Sequence, residues 1–185
     1  MGNLRWQSFA GVEKYIRSKY GEAGFRKIVA ALDSEDRDVV MSKDQTLPWY
    51  PARAFINLLR AVDKIYGKGD NALCREIGKF SANESFTGIY RVFIQFANPR
   101  FIINRAALVW RMVYDSGNAD VTYVNDKTVI FKVRDFDSPD KALCREIEGY
   151  LEKVIVMSGA RDARVSEKKC RCSKDEYCEY EIKWQ

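Results

Sequence analysis

Apolar positions in the first two-thirds of the chain recur at helical spacing. Val12, Tyr15, Ile16 and Tyr20 form one stripe, and Phe25, Ile28, Val29 and Leu32 form another after the break Gly21-Glu22-Ala23-Gly24, which predicts two short helices. From Asp33 to Thr46 the chain turns acidic and polar. Leu47-Pro48-Trp49-Tyr50-Pro51 then resets it, so that Pro51 opens a helix with Phe55, Leu59, Val62 and Tyr66 on one side. Gly67-Lys68-Gly69-Asp70 closes that helix, and Asp70 or Asn71 caps the next, which carries Leu73, Cys74, Ile77 and Phe80. Phe86, Ile89, Tyr90, Phe93, Ile94 and Ala97 follow the spacing of a helix with one broad apolar face. Asn98-Pro99 separates it from a further helix bearing Ile103, Ala107, Trp110, Val113 and Tyr114.

After Asp115-Ser116-Gly117-Asn118 the period drops to about two residues. Val121 and Tyr123, then Val129, Phe131 and Val133, flank Asn125-Asp126-Lys127 as a hairpin does. Ser138-Pro139-Asp140 starts a helix with Leu143, Ile147, Tyr150, Leu151 and Val154 inward and Gly159 at its end. Alternation returns at Ala163 and Val165 and again at Tyr180, Ile182 and Trp184. The fold class expected is α+β, as a single domain over 1–185. A mainly helical part, 1–117, precedes a β-β-α-β-β part, 118–185, whose four-stranded antiparallel sheet carries helices on one face. Ala72-Leu73-Cys74-Arg75-Glu76-Ile77 recurs at Ala142 to Ile147, but the residues downstream differ in type, so the echo reads as coincidence among good helix formers.

Composition narrows the chemistry. The chain has no histidine, which removes Ser-His and Cys-His nucleophile pairs, HExxH zinc sites and His-ligated haem. Neither a GxxxxGK[ST] nor a GxGxxG segment is present. The apolar runs are too short to span a bilayer, and the N-terminus lacks an export signal, so a cytoplasmic location is expected. The net charge of +5 is scattered among acids rather than gathered into the broad basic face that nucleic acid demands. Asp33, Glu35, Asp36 and Asp38 read as a solvated acidic run, and no nucleophile with a base is visible, so the expectation is a protein that is not an enzyme.

Five cysteines in such a setting are reduced thiols. Cys144, Glu167, Cys170 and Cys178 would supply four ligands to a zinc, since the last three flank one hairpin turn and the helix bearing Cys144 returns against the sheet. The alternative is that each cysteine is a small buried apolar residue, as Cys74 is taken to be, with Cys172 a spare thiol in either case.

Glu148-Gly149-Tyr150-Leu151-Glu152, Ala163 to Glu167, Cys170, and Lys174 through Trp184 resemble the 4-vinyl reductase, or hydrocarbon-binding, domain. That domain belongs to a group with haem-NO-binding sensors and TRAPP vesicle-tethering subunits. Trp49-Tyr50-Pro51, Thr87-Gly88 and Trp110 to Tyr114 resemble a bacterial paralogue family abundant in myxobacteria and built on the same domain. The resemblance implies a structural zinc on Cys144 and the E-x2-C-x7-C segment Glu167, Cys170 and Cys178, although Lys174 stands where a glycine is usual. It implies no haem, because the axial histidine is lacking. It also implies a small hydrophobic, aromatic or lipid ligand held by Phe86, Tyr90, Phe93, Ile94, Trp110 and Tyr114, and a homodimer that reports to a signalling protein. The competing expectation is a protein-protein interaction scaffold with no small-molecule ligand.

Overall fold

The computed structural model describes residues 2–42, 47–88, 92, 94 and 96–185. It is an α+β fold, with helices packed on one side of a four-stranded antiparallel sheet. The sheet comprises β3 (Asn118–Asn125), β4 (Thr128–Arg134), β5 (Arg164–Lys169) and β6 (Cys178–Lys183), in the order β3-β4-β6-β5. Register places Val129 opposite Ile182, Phe131 opposite Tyr180 and Val133 opposite Cys178. All six are buried, so the period-two pattern builds one apolar face, against which the helices lie.

α1 (Trp6–Ala30) joins the two predicted helices. The join is at Gly21, whose φ of 67° and ψ of −174° break the helical path at the glycine that signalled the end of the first stripe. The acidic run after it is not a solvated loop. Asp33 caps α2 (Ser34–Val40) by accepting from the Asp36 backbone N–H at 2.8 Å. Asp36 is itself buried, accepting from Asn57 Nδ2 at 2.6 Å and pairing with Arg53 at 3.1 Å.

Two short strands, β1 (Asn3–Leu4) and β2 (Tyr50–Pro51), tie the N-terminal segment to the start of α3 (Ala52–Tyr66). At the start of α4 (Ala72–Ser85) Asp70 accepts from Ala72 N–H at 3.0 Å, but Asn71 in the cap position makes no side-chain bond, and Asp63 of α3 accepts from the Asn71 and Leu73 N–H groups at 2.9 and 3.2 Å. The helix predicted across Phe86 to Ala97 begins differently: α4 stops at Ser85, Phe86 leaves helical geometry, and Gly88 has a φ of 55°. Val92, Ile94 and Phe96 are helical, while Ile89, Tyr90 and Phe93 lie outside the described residues.

The next predicted helix is two, α5 (Pro99–Ile103) and α6 (Ala106–Val113). Asn98 caps the first through Phe101 N–H at 2.8 Å. At the junction Arg105 N–H bonds three residues back to Ile102 at 3.0 Å, and the Asn104 side chain accepts from the Tyr123 hydroxyl of β3 at 2.8 Å. The break is thus set by a contact with the sheet rather than by a local breaker.

α7 (Lys141–Met157) is capped by Asp140, which accepts from Ala142 N–H at 2.9 Å. It crosses α4 antiparallel at backbone contact. A Cβ on Gly78 would lie 2.0 Å from the Glu146 carbonyl oxygen, and one on Gly149 would lie 1.9 Å from that of Arg75. The two repeated hexapeptides therefore sit on helices that pack against each other. Among the described residues no helix is long and apolar enough to cross a membrane.

Candidate ligand chamber and cysteine cluster

The glycine crossing brings polar positions of α4 and α7 to one place. Ser81 and Ser85 project from α4 one turn apart, and Glu146 and Tyr150 do so from α7. All four border a chamber of about 360 Å³ that is partly open to solvent and whose other sides are formed by α1, α5, α6 and the sheet. Its remaining wall is mostly apolar and includes Ile103, Val113, Phe131, Ile147, Val154 and Ile182.

Of the residues assigned to a ligand pocket from sequence, Phe86, Trp110 and Tyr114 line this chamber. Trp110 stacks on Tyr114 at 4.2 Å between ring centroids and donates its indole N–H to Ser116 O at 3.0 Å. Ile94 is buried in an adjoining cluster with Phe86 and Val154 rather than in the wall, and Tyr90 and Phe93 lie outside the described residues.

Glu146 was not anticipated. Its residue is 7% exposed, and no described group accepts from or donates to its carboxyl. Burial pushes its pKa up to about 8, so it keeps its proton at neutral pH. The Ser81 hydroxyl, also on the chamber wall, is buried without a partner. Burial also raises the phenols of Tyr114 and Tyr150.

At the N-terminal end of α7 the thiols gather. Cys144 and Cys170 sulfurs lie 3.6 Å apart, and Cys172 joins them with all three sulfurs within 4.8 Å of one another. Cys178 Sγ accepts from Arg171 N–H at 3.5 Å. The hydrogen bond between Cys144 and Cys170 makes them titrate as a pair, with Cys144 pushed up and Cys170 held down. Glu167 is placed beside this group but spends one oxygen on Lys141 and leaves the other buried without a partner. Cys172, set aside in the sequence as spare, is thus a member of the cluster. Cys74 is buried alone in the core.

Residues 11–185 match the family described as "Protein of unknown function (DUF2378)". The chain belongs to DUF2378. No curated protein matches this DUF2378 chain in sequence. Its fold is that of H-NOX proteins. The H-NOX protein of Shewanella oneidensis in the Fe(II)NO state is 12% identical, covers 98% of this chain and 99% of its own, and superposes with a TM-score of 0.74. The unliganded Fe(II) H-NOX protein of K. algicida is 12% identical with a TM-score of 0.71, over 98% of this chain and 96% of its own. An oxygen-binding H-NOX domain related to soluble guanylate cyclases, in its oxygen complex, is 14% identical with a TM-score of 0.62, over 95% and 92%.

Two expectations are corrected by these findings. The C-terminal motif pointed to a 4-vinyl reductase domain, but the family is DUF2378 and the matching folds are H-NOX proteins, so what stands of that resemblance is the fold shared with H-NOX proteins. A structural zinc without haem was expected, yet the proteins that share this fold carry iron, in Fe(II) states. A missing histidine was therefore too narrow a ground for setting haem aside. Among the described residues the haem ligand types that the chamber offers are the phenols of Tyr114 and Tyr150, both of which burial keeps protonated.

Proposed function

We propose that this DUF2378 chain is a binding module rather than a catalyst, and that its ligand is a small, largely apolar molecule carrying a hydrogen-bonding group. The observation that carries the reading is the largely buried Glu146 carboxyl, without a described hydrogen-bond partner, on the wall of an apolar chamber, where burial favours its protonated form. The Ser81 hydroxyl beside it is buried without a partner, which costs roughly 1–3 kcal/mol, a cost that a ligand removes by pairing with it. Glu146 donates to a carbonyl or similar acceptor on the ligand, with Ser81 and Ser85 beside it, while Trp110, Phe131 and Phe86 cover the apolar remainder. The H-NOX proteins of this fold hold small ligands, NO in one structure and oxygen in another, which supports a sensing role. Output through a homodimer or a signalling protein belongs to the same reading.

Native mass spectrometry and organic extraction of the protein as purified test it. An apolar compound is expected, displaced by the fluorescent probe N-phenylnaphthylamine and lost in Glu146→Leu. One equivalent of haem, seen as an intense Soret absorbance, would make the occupant a tetrapyrrole. Neither a bound compound nor probe uptake would sink the proposal and leave the interaction scaffold.

A further inference from the structure

Between Phe86 and Tyr114 the chain carries four arginines, Arg91, Arg100, Arg105 and Arg111, and no acidic residue. The same stretch holds a concentration of exposed apolar side chains. Leu108, Val109 and Met112 share the outward face of α6, which is therefore apolar, with Leu108 51% and Met112 60% exposed, and Arg105 stands one turn before them. Phe101 on α5 extends this face, its ring covered by the Arg105 guanidinium at 3.5 Å, and Phe96 beyond it is 86% exposed. At the other end Arg5 donates to Met112 O at 3.3 Å and lies over the Trp49 ring at 4.2 Å, with exposed Leu47 nearby in the chain. Arg100 pairs with Asp126, but among the described residues no acid lies within ion-pair distance of Arg105 or Arg111.

We infer that the outer face of α5 and α6 is a docking surface for an anionic lipid bilayer. Exposed apolar residues interleaved with arginine, with a tryptophan at the margin, are what an interfacial element offers: the apolar tips enter the headgroup boundary and the guanidinium groups meet phosphate. Charge decides the occupant. A two-fold contact with a second copy would set this basic face against itself, whereas an anionic leaflet supplies a continuous field of acceptors. The face also adjoins the chamber, because Arg105 and Val109 belong both to the exposed surface and to the chamber wall. An apolar ligand leaving a bilayer at this face would have no water to cross, although docking itself does not depend on what the chamber holds.

Co-sedimentation with vesicles of phosphatidylcholine alone, or with about a third phosphatidylglycerol, tests the inference on the full chain. Binding is expected only to the anionic vesicles and is weakened by salt. Arg111→Gln should cost about fivefold in vesicle affinity, and Leu108→Ser with Met112→Ser should abolish binding while circular dichroism stays unchanged. Equal binding to neutral vesicles, no binding to either, or binding unaltered by these exposed substitutions would each overturn it. So would a dimer in light scattering that these substitutions dissociate, since the face would then be an interface between copies.

Discussion

Glu146 and Glu148 stand two residues apart on α7, both buried, and have opposite surroundings. Glu148 accepts from Arg145 at 2.6 Å, from the Glu167 backbone N–H at 2.7 Å and from Arg75 at 3.5 Å. It fastens α7 to α4 on one side and to β5 on the other. Glu146 faces the chamber and has no described partner. Burial alone therefore separates nothing here; what distinguishes the structural carboxylate from the candidate recognition group is whether the protein completes its hydrogen bonds.

The largest effect that tests this contrast is a pH dependence. In the unfolded chain Glu146 ionises near 4.5, and in the folded chain only near 8. Between those values the unfolded state releases the proton and the folded state keeps it. Stability is thus fully present below about 4.5 and declines as pH rises toward 8, by about 5 kcal/mol in all. Urea titrations across this window should show that slope in the ligand-free protein, and Glu146→Gln should flatten it; an unchanged slope in the variant would remove Glu146 as its source. Glu148→Ala should cost about 4 kcal/mol, since it strips two guanidinium groups and a backbone N–H of their acceptor. A loss under 1 kcal/mol would erase the difference between the two carboxylates. Gly149→Ala forces α4 and α7 apart, at about 3 kcal/mol, and should alter probe uptake by the chamber as well as thermal stability. The smallest effect is expected from Asp140→Ala, which removes the cap of the helix carrying both carboxylates, at about 1 kcal/mol. It should leave the pH slope intact.

Much of this fold is legible in the pattern of residues. The hairpins follow from alternation at Val129, Phe131 and Val133, and α7 follows from Ser138-Pro139-Asp140 and its apolar stripe. What escaped depended on other parts of the chain. Glu146 and Glu148 look like the solvated side of an amphipathic helix, because their burial comes from a second helix that approaches through Gly78 and Gly149, and two isolated glycines carry no periodic signal. The separation of α5 from α6 hinges on the Tyr123 hydroxyl, about twenty residues downstream. Cys172 looked spare because Cys144, Glu167, Cys170 and Cys178 already supplied four ligands, yet the 3-10 turn Arg171–Ser173 places it with Cys144 and Cys170. Asp33 could have been recognised as a helix cap, with Asp36 in the first turn, had the acidic run not been taken as a whole for solvent.

The crossing of α4 and α7 is made by glycines pressed on carbonyl oxygens, and such a contact has no rotamers. Where side chains interdigitate, a small displacement is absorbed by torsions that hop between wells. Here main chain bears on main chain, so neither helix can slide or tilt without carrying the other along. The chamber wall and the thiol-bearing end of α7 are thus coupled to α4 through two residues that have no side chain at all.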